Sequence, residues 1–375
     1  MTEPVALRAS VLITNYNYGR FVGDAIDSAL AQTWPHVQVV VVDDGSTDES
    51  RLLLETYGDK IHTIVKEHGG QASCVNAGIP HLTGDAVIVL DADDMLDPTA
   101  IEKTIGFFAD PDVVKAHWPM ATIDRYGRPT GAVRWQKPAS GNYRQQALKV
   151  GPASHITPAC SGNFWRRSFL EQMLPLPSGD LANAIDSVLF TFSPFFGTFR
   201  ARHEPLTLYR VHGDNISTRF SAGTRLRLWE LRAELLHQWL TDQGEEISIA
   251  RWRAMNPFVR RLQSVLKAEA RIGAHLPKTA AIVLVAGQHY DRQDIAPQRP
   301  VHRAPPSLLA PERVEADFRE MIDDVREGNI QAIVVQGPAT WESTNLATLV
   351  RLLRDEHHVV HADDWIVIAT IEPQG

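Results

Sequence analysis

Two short acidic runs stand out in this 375-residue chain, because each closes a stretch that reads as a buried strand. Asp43-Asp44-Gly45-Ser46 follows the β-branched run Val37 to Val42, and Asp91-Ala92-Asp93-Asp94 follows Ala86 to Leu90. The first run suits a turn, and Ser46 or Thr47 is placed to cap a helix starting near Asp48. The second puts three carboxylates in four residues, which repel one another unless a cation lies among them. A hard divalent ion, Mn2+ or Mg2+, takes one or two protein carboxylates and completes its shell with phosphate oxygens and water. The chemistry on offer is metal-assisted handling of a phosphorylated substrate, against the plainer reading of a solvated acidic loop.

The elements that must position these carboxylates alternate. Ala9 to Thr14, Val37 to Val42, Ile61 to Val65 and Ala86 to Leu90 read as strands. Between them, Phe21, Val22, Ile26, Ala29 and Leu30 recur at helical spacing, a second helix starts near Asp48, and a third runs from Gln71 to His81. That rhythm predicts an α/β fold with a parallel sheet, whose ligands lie beyond the carboxyl ends of the strands. From Val113 to Pro177 the pattern loosens into loops and short strands. Residues 221–277 read as helical, rich in Leu, Arg and Trp. Beyond Lys278, strands are predicted at Ala280–Val285, Ala332–Val335 and Trp365–Ile371. Helices are predicted near Val314–Arg326 and Leu346–Asp355, with Gln293 to Pro311 a proline-rich loop.

Composition narrows the classes further. The net charge of −8 argues against a nucleic-acid partner, which needs clustered Lys and Arg. Cys74 and Cys160 stand far apart and supply neither a zinc set nor a bridge framework, which fits a reducing compartment. No apolar run reaches the ~20 residues needed to span a bilayer, and the first residues lack a signal-peptide layout. The expectation is a cytoplasmic multidomain protein, with peripheral contact at the inner face of the membrane left open.

Several pieces of sequence, in order, resemble glycosyltransferase family 2, the inverting sugar transferases with the GT-A fold. They are Ser10-Val11-Leu12-Ile13-Thr14-Asn15-Tyr16-Asn17, Val41-Val42-Asp43-Asp44-Gly45-Ser46-Thr47-Asp48, Gly69-Gly70-Gln71-Ala72-Ser73 and Leu90-Asp91-Ala92-Asp93-Asp94. Leu208-Tyr209-Arg210-Val211-His212 resembles the family's terminal motif, so the likeness covers residues 9 to about 218. It implies a nucleotide-sugar donor, UDP- or dTDP-linked, a Mn2+ or Mg2+ cofactor, and transfer to a hydroxyl on a glycan, lipid-linked glycan or small molecule. Thr14 and Tyr16 match positions lining the nucleobase pocket, and Asp44 the acceptor of a uracil-type N3–H. Gln71 and Asp91 match the nucleotide-sugar site, and Asp93 matches the metal ligand. His212 stays open between metal ligand and structural residue, and Arg210 between phosphate partner and loop brace.

An inverting transfer also needs a base. The resemblance places it at Asp186, although Ile185 stands where relatives carry a first acid; the alternative is a helix cap. Ser161-Gly162-Asn163 with Trp165 resembles the acceptor-side loop, where Gly162 could admit a close backbone and Trp165 stack on an acceptor or serve the core. The expected layout is a transferase domain over 1–220, a helical connector over 221–277 and an α/β module over 278–375. The connector packs on its own domain or a partner subunit, or lies on a membrane surface; it or the C-terminal module could join copies of the chain. The rival to transfer is a catalytically idle nucleotide-sugar-binding or scaffold protein.

Overall fold

The protein, described here from a computed structural model, is defined over residues 6–213, 215 and 220–275, and beyond these over 282–286, 301–303, 332–336, 353, 358–362 and 366–370. The first ninety residues alternate as read: β1 (Ala9–Asn15), α1 (Gly19–Leu30), β2 (Val37–Asp43), α2 (Ser50–Glu55), β3 (His62–Val65), α3 (Gln71–Gly78) and β4 (Ala86–Asp91). Then come β5 (Met95–Leu96), α4 (Ala100–Thr104), β6 (Val113–His117), β7 (Met120–Asp124), β8 (Pro129–Arg134) and α5 (Arg144–Val150). β9 (Asn163–Arg166), α6 (Arg167–Gln172), α7 (Ile185–Phe192), β10 (Thr198–Ala201) and β11 (Thr207–Val211) follow. Three helices, α8 (Ala222–Asp242), α9 (Ile249–Met255) and α10 (Pro257–His275), precede strands β12 (Ile282–Ala286), β13 (Val301–Arg303), β14 (Ala332–Gln336), β15 (His358–Ala362) and β16 (Ile366–Thr370).

The central sheet runs β10-β6-β9-β4-β1-β2-β3. β1 pairs in parallel with both β2 and β4, so that Thr14 lies opposite Asp91 and Asn15 opposite Asp43. This register brings the acidic ends of β2 and β4 to one edge of the sheet. Val39 to Val42 and Val87 to Leu90 are buried on both faces, which explains why these strands lack polar alternation. On α1, Val22, Ala25, Ile26 and Ala29 face that core, each larger side chain contributing about 1.5–3 kcal/mol by leaving water. The antiparallel insertion of β9 between β4 and β6 lies in the stretch read as loops and short strands.

A second sheet, β5-β11-β7-β8, stands on the carboxyl end of the first. Its strand β11 pairs antiparallel with β5, directly after the Asp91–Asp94 run, and delivers Arg210 and His212 to it. Ser46 and Thr47 do not cap a helix as read. Ser46 Oγ instead accepts from the Asn17 amide at 2.9 Å, and Asp48 Oδ1 accepts from Ser50 N at 3.0 Å where α2 begins.

The chain divides into two compact units, one of residues 1–215 with 228–256 and one of 216–227 with 257–375. The stretch read as a connector is therefore shared between them. Within the first unit, Leu228, Trp229, Ala233, Leu236 and Leu240 of α8 are buried, and the Trp229 indole donates to Pro152 O at 2.9 Å. Trp239 packs on Phe192, Phe195 and Phe196. The apolar side of this helical stretch is thus covered by protein. Among the described residues no helix is long and apolar enough to cross a membrane.

In the second unit, α10 buries Val259, Leu262, Val265 and Ile272, and the sheet runs β13-β12-β14-β16-β15. The three strands read there are present. β13 lies inside the segment read as loop, and the helices read near 314–326 and 346–355 lie outside the described residues, apart from helical Leu353.

Gly151 links the two halves of the first unit. Its φ of +72° is a region β-carbon-bearing residues avoid, and an added Cβ would lie 2.6 Å from the Trp252 ring. Gly151→Ala is expected to cost about 2 kcal/mol through overpacking, read as a melting temperature lower by about 4–8 °C for a unit of this size. An unchanged melting temperature would show that Trp252 does not seat against this turn.

Candidate active site

At the end of β4 the carboxylates of Asp91, Asp93 and Asp94 offer oxygens that all lie within 4.8 Å of one another. Asp91 Oδ1 accepts from Gln71 Nε2 at 2.6 Å, and the same amide nitrogen lies 3.5 Å from Thr14 Oγ1. The Asp91 backbone N–H donates to Ser161 Oγ at 3.1 Å. Asp93 Oδ2 is 2.9 Å from His212 Nε2 and 3.4 Å from Asn215 Nδ2. Asp94 is buried; its Oδ1 accepts from the Arg210 amide at 3.0 Å, while Oδ2 has no hydrogen-bond partner.

Electrostatics follow from this crowding. Burial, then Asp93 and Asp186, push the Asp91 carboxyl up to about 8, against hydrogen bonds from Gln71 and Ser161. Burial, Asp93 and Asp91 likewise push Asp94 well above the carboxylate range. Three clustered carboxyls, one carrying a buried oxygen without a partner, form an all-oxygen donor set that fits a hard divalent cation. Such a charge would favour the ionised carboxyls that burial and mutual repulsion disfavour.

Arg210 braces this loop. It is 1% exposed, its Nε donates to Asp93 O at 2.9 Å, and its Nη2 pairs with Asp24 Oδ2 at 2.8 Å. Of its two sequence readings, brace is the one the contacts describe. His212 is also buried, packed beside Tyr18 and Phe21 with its ring nitrogen on Asp93, where it orients that carboxylate.

A second cluster lies beyond β2. Gly45, at φ +79°, turns the chain where a Cβ would meet His68 N at 3.0 Å, and Asp44 then faces the loop 66–70. Asp44 Oδ1 accepts from Lys66 Nζ at 2.7 Å and Gly69 N at 3.0 Å, and Oδ2 from Gly70 N at 2.7 Å and His68 Nδ1 at 2.9 Å. The His68 ring stacks on Tyr16 with centroids 4.0 Å apart. Asp44 is therefore saturated by the chain's own donors, which the motif alone did not reveal. Burial would raise its carboxyl, but Lys66, Gly70 and Gly69 outweigh burial and hold it below the ordinary value of 3.8.

This loop continues toward Asp186. The Gln71 N–H donates to Asn183 Oδ1 at 3.2 Å and the Ala72 N–H to Ala182 O at 2.7 Å, which seats α3 on the segment leading into α7. Asp186 opens α7, its Oδ1 accepting from Ser187 N at 2.6 Å. Burial raises its carboxyl; the Ser187 N–H and the Arg232 guanidinium oppose the rise. Thr14, Gln71, Asp91, Asp93, His212 and Asp186 thus converge, with Tyr16 and Asp44 flanking them.

Gly162 and Trp165, read on the acceptor side or in the core, are both buried. A Cβ on Gly162 would meet Pro158 Cβ at 2.7 Å and Met120 Sδ at 3.0 Å, so the glycine serves close packing. Trp165 is fully buried, stacked on Phe169 and Phe190 beside the Lys115 ammonium, because β9 is an interior strand. Its indole is core. Arg232 and Asn183 escaped the sequence reading. Arg232 had a signal: it interrupts the apolar stripe Leu228, Leu236, Leu240, where a solvated arginine has no place.

An acidic cluster beyond the carboxyl ends of the strands of a largely parallel sheet lies where α/β folds hold their ligands. Residues 10–174 match the model of glycosyl transferase family 2. An uncharacterized glycosyltransferase of Nostoc sp. is 33% identical over 243 residues, 63% of this chain and 75% of that protein. An uncharacterized glycosyltransferase of Rickettsia prowazekii is 43% identical over 97 residues, 26% of this chain and 30% of that one. Among solved structures, S. aureus TarS 1-349 in complex with UDP-GlcNAc superposes with a TM-score of 0.48 and 12% identity, over 98% of each chain. The chain belongs to glycosyltransferase family 2 and is a glycosyltransferase.

Because the Asp44 acceptors face donors on both oxygens, Asp44→Asn is expected to cost about 1–3 kcal/mol at neutral pH. A lowered folded pKa means this stability is present above 3.8 and is lost as pH falls through the folded value. Urea unfolding of both proteins at pH 7 and near pH 3 should show the gap narrowing in acid; an equal gap at both would overturn the linkage.

Proposed function

We propose that the protein is a metal-dependent inverting glycosyltransferase using a UDP- or dTDP-linked sugar, with Asp186 as base and an acceptor hydroxyl on a glycan, lipid-linked glycan or small molecule. The observation that carries this reading is the carboxylate cluster at the end of β4, held by Gln71, whose own backbone N–H bonds Asn183 in the segment that leads into α7 and Asp186. Asp91 and Asp93 are the residues that would hold the cation, with His212 orienting Asp93. Bound there, Mn2+ or Mg2+ supplies Lewis-acid neutralisation of the negative charge collecting on the leaving diphosphate.

The chain's own part in the reaction is proton transfer and orientation. Asp186 accepts the acceptor hydroxyl's proton as its oxygen bonds to the anomeric carbon. The bond from that carbon to the diphosphate breaks on the opposite face, inverting the centre. A carboxylate raised above its ordinary value is a stronger base, provided it remains ionised at the working pH. Tyr16 offers a partly exposed phenol ring for a nucleobase. At Asp44, a base N3–H would take the place of His68, whose side chain is 55% exposed and so the one donor on Asp44 free to swing into solvent.

Asp186→Asn is expected to reduce transfer by about 10²- to 10⁴-fold, the scale of a lost general base, with Mn2+-dependent UDP binding by calorimetry nearly unchanged. Full turnover in this variant would remove Asp186 from the mechanism. Asp93→Ala should weaken that same binding by more than the roughly 10–100-fold that losing an outer partner costs; a titration matching the wild type would sink the metal assignment. A panel of UDP-, dTDP- and GDP-sugars, scored for nucleotide release with and without Mn2+, identifies the donor. No release and no binding across the panel would favour the idle, scaffold reading instead.

A further inference from the structure

Arg232 is a charged side chain in an apolar place. It projects from α8 on the buried stripe with Leu228, Leu236 and Leu240, and only 7% of it is exposed. Burying a guanidinium costs several kcal/mol unless its N–H groups and its charge are met. Its Nε donates to Leu228 O, one turn back on its own helix, at 3.0 Å. Its Nη1 donates across to Ser187 O, in the first turn of α7, at 3.3 Å. Ser187 is held from the other side as well, since its N–H donates to Asp186 Oδ1. Asp186 and Arg232 therefore hold the same residue, one through its N–H and the other through its C=O, which sets the guanidinium near enough for its charge to favour the ionised carboxylate. Asp186 is also near enough to the carboxylates at the end of β4 for its charge to help raise Asp91. A carboxylate set among carboxylates requires a cation behind it to remain charged and correctly turned.

We infer that Arg232 is a positioning residue for sugar transfer, a fixed cation through which the α8 helix holds the Asp186 carboxylate ionised and oriented toward the acceptor hydroxyl. The inference rests on the reading of Asp186 as the base. It assigns the 228–256 stretch a task beyond packing: the helical segment completes the base side of the site. Even with its pKa brought down by burial to about 10, Arg232 remains charged at neutral pH. A lysine there would keep a charge but lacks the fork that reaches Leu228 O and Ser187 O together.

The test measures kcat and donor KM separately for R232Q, R232K, D186N and the R232Q/D186N pair, with the sugar nucleotide hydrolysed or transferred fastest in the donor panel. R232Q is expected to lower kcat by about 10- to 100-fold, the scale of a lost positioning partner, with donor KM and Mn2+-dependent UDP binding unchanged. R232K should fall between R232Q and wild type. In the D186N background R232Q should add nothing, because it acts through the carboxylate. Wild-type kcat in R232Q, or a kcat loss matched by an equal loss of donor binding, overturns the inference. Should R232Q fail to fold, R232K decides: a lowered kcat at constant KM supports the role, and unchanged kcat or a parallel KM change refutes it. Full turnover in D186N would instead defeat the base assignment itself, whereas a dead D186N beside an unaffected R232Q defeats only this one.

Discussion

Like charges held together out of water are the constraint on which the rest of this site depends. Asp91, Asp93 and Asp94 crowd the end of an interior strand, where burial and neighbouring carboxylates resist ionisation of Asp91 and Asp94. Each is gripped by a different part of the chain: Asp91 by Gln71 and Ser161, Asp93 by His212 and Asn215, Asp94 by the Arg210 amide. These grips fix where the oxygens point without neutralising them. The small β5-β11-β7-β8 sheet exists in this sense to deliver the terminal motif to the acidic loop, and Arg210 ties it down through the Asp93 carbonyl and Asp24.

The same logic of opposed charge spreads outward. Asp44, buried beside the cluster, is met by Lys66, His68 and two backbone N–H groups, and so becomes the organiser of the 66–70 loop. That loop seats α3 against Ala182 and Asn183, which lead into α7 and Asp186. Behind Asp186 stands Arg232, brought by a helix distant in sequence. Negative groups alternate with donors and cations along this path, from β2 across α3 to α7 and α8.

Much of the fold was legible in the residues. Continuous apolar runs rich in β-branched residues at Val39–Val42 and Ala86–Leu90 read as interior strands, and helical spacing between them points to parallel crossovers. The acidic runs followed those strands directly, so their arrival at one sheet edge was a consequence of register rather than of distant contacts. Where the reading slipped, competition between local roles was the cause. Ser46 is as good a helix cap as it is a partner for the Asn17 amide, and only the position of β1 beside it decides which. Trp165 suits an acceptor platform as well as a core, and the insertion of β9 between β4 and β6 made it core.

The sequence by itself determined the α/β architecture, the acidic cluster and the family, because these rest on residue type and near spacing. Only the tertiary structure decided that Arg210 braces the acidic loop, that His68 and Lys66 already fill Asp44, and that Arg232 reaches the first turn of α7 at Ser187. Each of those is a meeting of groups that can be more than a hundred residues apart, as Arg210 and Asp24 are. Charge and hydrogen-bonding capacity can be read along a chain, but which partner satisfies them depends on distances of a few ångströms that no one-dimensional spacing encodes.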